Sequence, residues 1–219
     1  MYAERDKQGL KNRYTWHQPD VRYQEAIKWR MLSTALRMAI GENIADKSWL
    51  DVGCGSGSFL RLLVEWGAAP DKLLGTEFLD DRLERARTIS PAGIRWHLGG
   101  LDFDGGDGFD LVSAHTVFSS VLDNGERQEL ANAMWEKVRP GGWLLIFDFR
   151  YNNPRNPNVR KVTQKELEKW WPASDRLFCT GLLAPPLARL LIKQNYILAE
   201  ILTSIFPFLR SHFVFMARK

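Results

Sequence analysis

The sequence predicts one α/β domain: a doubly wound, mostly parallel sheet of seven strands, with an N-terminal helical lid and a small C-terminal cap. Three observations lead there. Short β-type runs alternate with segments of helical period from residue 21 to residue 149. The links between them are short, which favours parallel strands joined by crossover helices. The chain has 219 residues, 45% of them hydrophobic and 26% charged, enough for one soluble core held without disulfides. Residues 1–47 form the lid and first helix, 48–150 the core, and 151–219 a loop and cap, all in one domain.

Each element has its own justification. Val21–Ile40 repeats apolar residues at helical spacing (Ile27, Leu32, Leu36), and Gly41 is its stop. Ser48–Val52 reads as a strand running into a glycine-rich turn. Phe59 to Trp66 is helical, with Gly67 ending it. The rhythm repeats as strand Lys72–Thr76, helix Asp80–Thr88, strand Ile94–Leu98, strand Asp110–Ala114, helix Glu126–Val138 and strand Trp143–Phe149. A loop follows, then a helix near Thr163–Trp171 with Thr163 and Glu166 spaced as a capping box. The last elements read as strand Ser174–Leu183, one long helix Pro186–Phe206 and strand His212–Ala217, an antiparallel addition to the sheet edge. Tyr2, Tyr14, Trp16 and His17 make the first residues either a lid over a ligand or a frayed end.

Charge and cysteine content exclude some classes. The net charge is +4, and no Lys/Arg run has the length of a nucleic-acid-binding arm, so nucleic acid is not expected as substrate. Cys54 and Cys179 are the two cysteines, without a CxxC pair, so neither a disulfide framework nor a metal site is expected. The polar first residues do not read as a secretory signal, and no 18-residue apolar run occurs. The expected location is the cytoplasm, with the inner face of the membrane kept open.

The strongest local signal is Leu50-Asp51-Val52-Gly53-Cys54-Gly55-Ser56-Gly57, between a strand and a helix. Such a turn brings backbone N–H groups and a helix N-terminus against a ligand, and glycine lets the ligand touch the main chain. The spacing is GxGxG. A dinucleotide fingerprint would need glycine at 58, where Ser58 stands. Asp51 places a carboxylate where an ammonium group can meet it. Glu77, at the end of the next strand, suits the two hydroxyls of a ribose. Cys54 is read as a small residue in the turn.

Together these residues resemble a known family. LDVGCGSGSFL looks like the first motif of class I S-adenosylmethionine-dependent methyltransferases, of the type 11-like kind. GTEFLDDRLERAR resembles their acidic second-strand segment, and FDLVSAHTVF with VRPGGWLLIFDFR their fourth and fifth strands. The resemblance spans residues 48–150 and implies a Rossmann-like sheet, methyltransferase activity and S-adenosyl-L-methionine as cofactor. It implies that Gly53, Gly55 and Gly57 pass under the methionine part, with Asp51 near its amino group, Glu77 on the ribose and Phe78 against the adenine. The family's adenine-reading Asp has no counterpart directly after Gly99. That job falls to Asp102 or to the backbone of Gly100 and Leu101. TVFSSVLD, DFRYNNPRNPNVR and LAPPLARLL are further similar to bacterial members of polysaccharide and natural-product pathways.

The chemistry is expected beyond the carboxyl ends of the strands, where open parallel sheets bind ligands. His115 is the candidate general base for a hydroxyl acceptor, or a residue stacked near the cofactor. Asp148 and Arg150 are the other catalytic candidates, with a mutual bond or a helix terminus as the structural reading of Asp148. Residues 150–160 hold four Asn, three Arg and two Pro. Arg150, Tyr151, Asn152, Asn153, Arg155 and Asn156 are the expected substrate contacts, since amides suit sugar hydroxyls and Arg suits anions. A surface loop of turn formers is the plain alternative. The apolar segment after Trp170 reads as core, or as a surface that touches a membrane or a lipid-linked substrate. The expected activity is O-methylation of a sugar or other polar metabolite, with a small molecule or glycan as partner. A non-catalytic cofactor-binding protein, a dinucleotide oxidoreductase and a nucleic-acid methyltransferase are the rivals, and the oligomeric state is open.

Overall fold

The computed structural model describes residues 17–153, 156–173, 175–192 and 195–219. The expected lid residues Tyr2, Tyr14 and Trp16, and Arg155 of the expected substrate loop, lie outside them. Seven strands make one sheet: β1 (Trp49–Val52), β2 (Leu73–Glu77), β3 (Arg95–Leu98), β4 (Phe109–His115), β5 (Val138–Phe149), β6 (Arg176–Leu183) and β7 (Arg210–Arg218). Their order is β3-β2-β1-β4-β5-β7-β6. β1 to β5 are parallel, and β7 runs antiparallel to both β5 and β6. The expected α/β sheet with an antiparallel addition at its edge is therefore present.

Helices cover both faces. On one lie α1 (Pro19–Ile40), α2 (Ser58–Glu65) and α3 (Asp80–Ile89). They bury Leu32, Leu36, Leu60, Leu63 and Leu83 against Trp49, Leu145 and Val214. On the other lie α4 (Asn124–Lys137) and α5 (Gln164–Trp170). There Ala131, Met134, Leu167 and Trp171 pack on Val112, Ile146 and Phe213. Alternating strand residues feed the two layers, as a sheet covered on both faces requires. The capping box at the start of α5 is formed, and Glu166 also accepts from the fully buried guanidinium of Arg127 at 2.8 Å.

Two expectations need correction. The apolar segment 186–206 is not one helix. It is α6 (Pro185–Leu191) and α7 (Tyr196–Ile205), and the side chain of Asn195 accepts the N–H groups of Ile197 and Leu198, starting the second helix afresh. β5 begins at Val138, not Trp143. Phe109 pairs with Val138 and Leu111 with Trp143, so residues 139–142 bulge out opposite a single position of β4.

Candidate functional site

Strand order reverses between β1 and β4, so the chain leaves their carboxyl ends in opposite directions and opens a crevice there. The glycine turn lines it. Gly53, Gly55 and Gly57 all hold positive φ, at 66°, 57° and 74°, a region costly for side chains with a Cβ. They differ in surroundings. A Cβ on Gly53 would lie 2.7 Å from Val117, and one on Gly57 would strike Trp96. At Gly55 the nearest atom would be the Arg82 guanidinium at 4.0 Å, so this glycine faces open space.

Glu77 closes the turn from the next strand. One carboxylate oxygen accepts the Gly55 N–H at 3.0 Å, and the other accepts the N–H groups of Phe78 and Leu79 at 2.8 and 3.1 Å. Gly99 N–H donates to the Glu77 carbonyl, which brings the end of β3 alongside. Phe78 is 76% exposed, and a Cβ on Gly100 would lie 3.2 Å from its ring. A large bare ring beside a glycine backbone is a flat apolar face of the kind a nucleobase stacks on. Of Gly100, Leu101 and Asp102, Gly100 is the residue shown against Phe78. The Asp102 side chain is 85% exposed, with an oxygen 3.5 Å from His97.

Asp51 and His115 meet, largely buried, at the carboxyl ends of β1 and β4. Asp51 is buried and accepts the Ser113 hydroxyl at 2.7 Å, and Trp49 fixes that hydroxyl from behind. Burial pushes the Asp51 carboxyl up to about 7, against the pull of the Ser113 bond and of Lys28. His115 Nε2 stands 3.8 Å from Asp51. The ring sits 4.2 Å from that of Phe59, and neither ring nitrogen has a hydrogen-bond partner among the described residues. Burial, then Lys28, holds its pKa well below the usual histidine range, so the imidazole is neutral. Next to it Thr116 holds φ 57°, strained for a β-branched residue.

Two residues beside this pair were not anticipated from the sequence. Lys28 projects from α1, its Nζ 4.2 Å from the Trp29 ring centre and 5.6 Å from that of Phe147. Burial lowers its pKa, while Glu25 and Asp51 favour its charge. Its signal was a lysine one turn from Gln24 beside an apolar stripe, and the buried amide nitrogen of Gln24 has no partner among the described residues. His212, from β7, stacks on Phe147 at 5.2 Å and shares a 2.8 Å hydrogen bond with Ser211. Burial takes its pKa down to about 3.

The remaining candidates fall elsewhere. Asp148 is a correction: it is fully buried, and its two oxygens accept the N–H groups of Ser119 and Phe149, so it ties the loop after β4 to β5. Arg150 donates through its Nη1 to the carbonyls of Pro207 and Arg210, fastening the cap to the end of β5. Asn152 accepts the Lys161 N–H at 2.8 Å, and Asn156 accepts that of Asn158. These amide oxygens build the loop, as turn formers do. The Asn153 carbonyl accepts the Asn156 N–H, and Tyr151 stays 45% exposed. Cys54 is buried against Gly75, and burial pushes its thiol pKa up, which leaves it inert.

Residues 23–189 match the family model described as a methyltransferase domain. The chain belongs to this methyltransferase family. The methyltransferase fold recurs in solved structures. An N-methyltransferase NodS from Bradyrhizobium japonicum, in complex with S-adenosyl-L-homocysteine, aligns with TM-score 0.63 and 18% identity over 97% of this chain and 95% of that one. A SAM-dependent methyltransferase from Archaeoglobus fulgidus gives 0.61 and 17%, over 87% and 94%. The plantazolicin methyltransferase BpumL, in complex with a triazolic desmethylPZN analog and SAH, gives 0.64 and 12%, over 100% and 93%. No curated protein matches the chain. The cofactor of this methyltransferase family is S-adenosylmethionine. The turn leaves room for it: a Cβ on Gly55 would meet nothing nearer than 4.0 Å, and the Phe78 ring beside it is bare.

Proposed function

We propose that this methyltransferase transfers the cofactor's methyl group to a hydroxyl oxygen of a sugar or another small polar metabolite. The observation that carries the reading is the Glu77–Gly55 bridge at the end of β2, with Asp51 and a neutral, unpartnered His115 at the ends of the next two strands. When bound, the cofactor supplies an electrophilic methyl on a sulfonium. Asp51 faces its ammonium group, Glu77 its ribose hydroxyls and Phe78 its adenine. His115 takes a hydrogen bond from the acceptor hydroxyl through a free ring nitrogen and holds the oxygen in line with the methyl; as the C–O bond forms and the C–S bond breaks, the proton on the alkylated oxygen passes along that hydrogen bond to the ring nitrogen and then to solvent. Phe59, Phe147 and His115 keep water out. Tyr151 borders the acceptor at the end of β5. A lipid-linked form of the same acceptor, met at the inner face of a membrane, belongs to this reading.

One observation favours a second reading. The strongly depressed pKa of His115 makes it a weak base, which suits an amine that arrives already deprotonated, and the neighbour NodS is an N-methyltransferase. The test is turnover of S-adenosylmethionine with panels of hydroxylated and amino acceptors, beside calorimetric titration with S-adenosylhomocysteine. Tight product-cofactor binding with methylated alcohols supports the oxygen reading. Methylated amines alone transfer it to nitrogen. Absence of binding overturns both.

A further inference from the structure

The cap exposes far more apolar surface than its core needs. Within α6, α7 and the turn Pro207–Leu209, Leu190, Ile197, Ile201, Ile205, Phe206 and Phe208 are each between 41% and 65% exposed. On α7 Ala199 is the one fully buried residue, and Ile197, Ile201 and Ile205 recur every fourth position along one outward stripe. Soluble chains rarely leave such a contiguous face to water.

Its charge and position indicate what covers it. Among the described residues, Arg189 and Arg210 of these elements, with Arg150 bonded to the turn from the end of β5, stand against a single acid, Glu200, which pairs with Arg30 at 3.7 Å. Beneath α7 a cavity of about 210 Å³ is lined by Tyr23, Arg30, Thr180, Thr203 and Arg210, offering hydroxyls and guanidinium groups. Two copies meeting through this face on a twofold axis would bring their excess cations together, which is repulsive. An anionic surface neutralises them. No helix among the described residues is long and apolar enough to cross a membrane, so the face suits docking on a bilayer and not insertion through it.

The face also lies at the working end of the sheet. β6 runs parallel to β5, α6 leaves its carboxyl end, and Arg150 at the end of β5 holds the carbonyls of Pro207 and Arg210. We propose that α6, α7 and the turn Pro207–Leu209 dock this protein on an anionic lipid leaflet, with the crevice presented to acceptors held at that surface. The docking rests on the apolar face; its link to the acceptor rests on the methyltransferase reading above.

Co-sedimentation with phosphatidylcholine vesicles, with and without phosphatidylglycerol, tests it. The protein should pellet with the mixed vesicles, less so at high salt, and stay in solution with phosphatidylcholine alone. Ile201→Asp and Phe208→Asp, both exposed, should keep the circular dichroism spectrum and S-adenosylhomocysteine binding while weakening partition about tenfold each. A wild-type protein that stays in solution with both vesicles overturns the proposal. So does a double variant that binds as wild type. A concentration-dependent dimer dissolved by the same substitutions would assign the face to a second copy and overturn it as well. Calorimetry on the same sample separates the two ideas: cofactor binding without vesicle binding sinks the docking alone, and the converse sinks the methyltransferase reading alone.

Discussion

The carboxylate of Glu77 accepts the backbone N–H of Gly55 at 3.0 Å, joining the end of one strand to the turn that follows its neighbour. Its other oxygen accepts two more N–H groups, from Phe78 and Leu79. One side chain thus shapes the turn and, in the proposed reading, offers charge to the ribose. Glu77→Gln keeps an acceptor oxygen and nearly the same shape but loses the charge. It should weaken S-adenosylhomocysteine binding about 10- to 100-fold by calorimetry, the loss of about one or two charge-assisted bonds. Glu77→Ala leaves three N–H groups without their acceptor and should in addition lower unfolding free energy by about 1–3 kcal/mol. Equal binding by the Gln variant would remove Glu77 from the ribose.

The three turn glycines should respond differently to substitution. Gly57→Ala combines a left-handed φ of 74° with collision against Trp96. Urea denaturation should show a loss of about 2–4 kcal/mol, strain plus overpacking. Gly55 has open space around it, so Gly55→Arg should cost about 1–2 kcal/mol in folding yet abolish cofactor binding. A Gly55→Arg protein that binds S-adenosylhomocysteine normally would show that the cofactor does not touch this turn.

Much of this was legible in the chain because it is local. Strand, glycine turn and helix follow one another between residues 49 and 65, and the acid stands at the end of the next strand. What escaped depends on distant chain meeting. Lys28 reaches Asp51 only because α1 folds back over the sheet, and His212 joins Phe147 only because β7 inserts antiparallel beside β5. The apolar run 186–206 carried no glycine to stop it, so its break at Asn195 was hidden in a side-chain cap. The polar loop after Arg150 carries a use that its composition does not show: the amide oxygens of Asn152 and Asn156 accept N–H groups of the loop's own backbone.

The buried Asp51 has a pH consequence. Its carboxyl titrates near 7 in the folded chain against an ordinary value of 3.8. Between those values the native state binds more protons than the unfolded one, so the contribution of Asp51 to stability is full below about 4 and is lost as pH rises toward 7. His115 and His212 are lowered and act in the opposite direction over much of that window, so total stability is a poor readout. The clean measurement is the difference between wild type and Asp51→Asn, which can still accept from Ser113. The variant should gain on wild type as pH increases from 4 to 7, by thermal unfolding. An ammonium group beside Asp51 draws off its proton, so S-adenosylhomocysteine binding near pH 6.5 should release a proton and give buffer-dependent enthalpies that vanish in Asp51→Asn.

His115 decides between the two acceptor readings. A histidine that takes a full proton from a hydroxyl supplies about 10²–10⁴-fold in rate, and His115→Phe would forfeit all of it. Its low pKa argues for the smaller role of accepting a hydrogen bond and fixing the oxygen in line. His115→Asn, which keeps a hydrogen-bonding side chain, should therefore retain most of the rate with an oxygen acceptor, while His115→Phe loses it. Cofactor affinity should change little in either. With the cofactor saturating, kcat/KM for the acceptor should stay flat between pH 6 and 8, since His115 is neutral throughout and the cofactor's ammonium group holds Asp51 ionised. A limb near pH 6.5 that disappears in both variants would restore the full base. If both variants match wild type, His115 is only a wall of the site, and an amine that needs no base becomes the better acceptor.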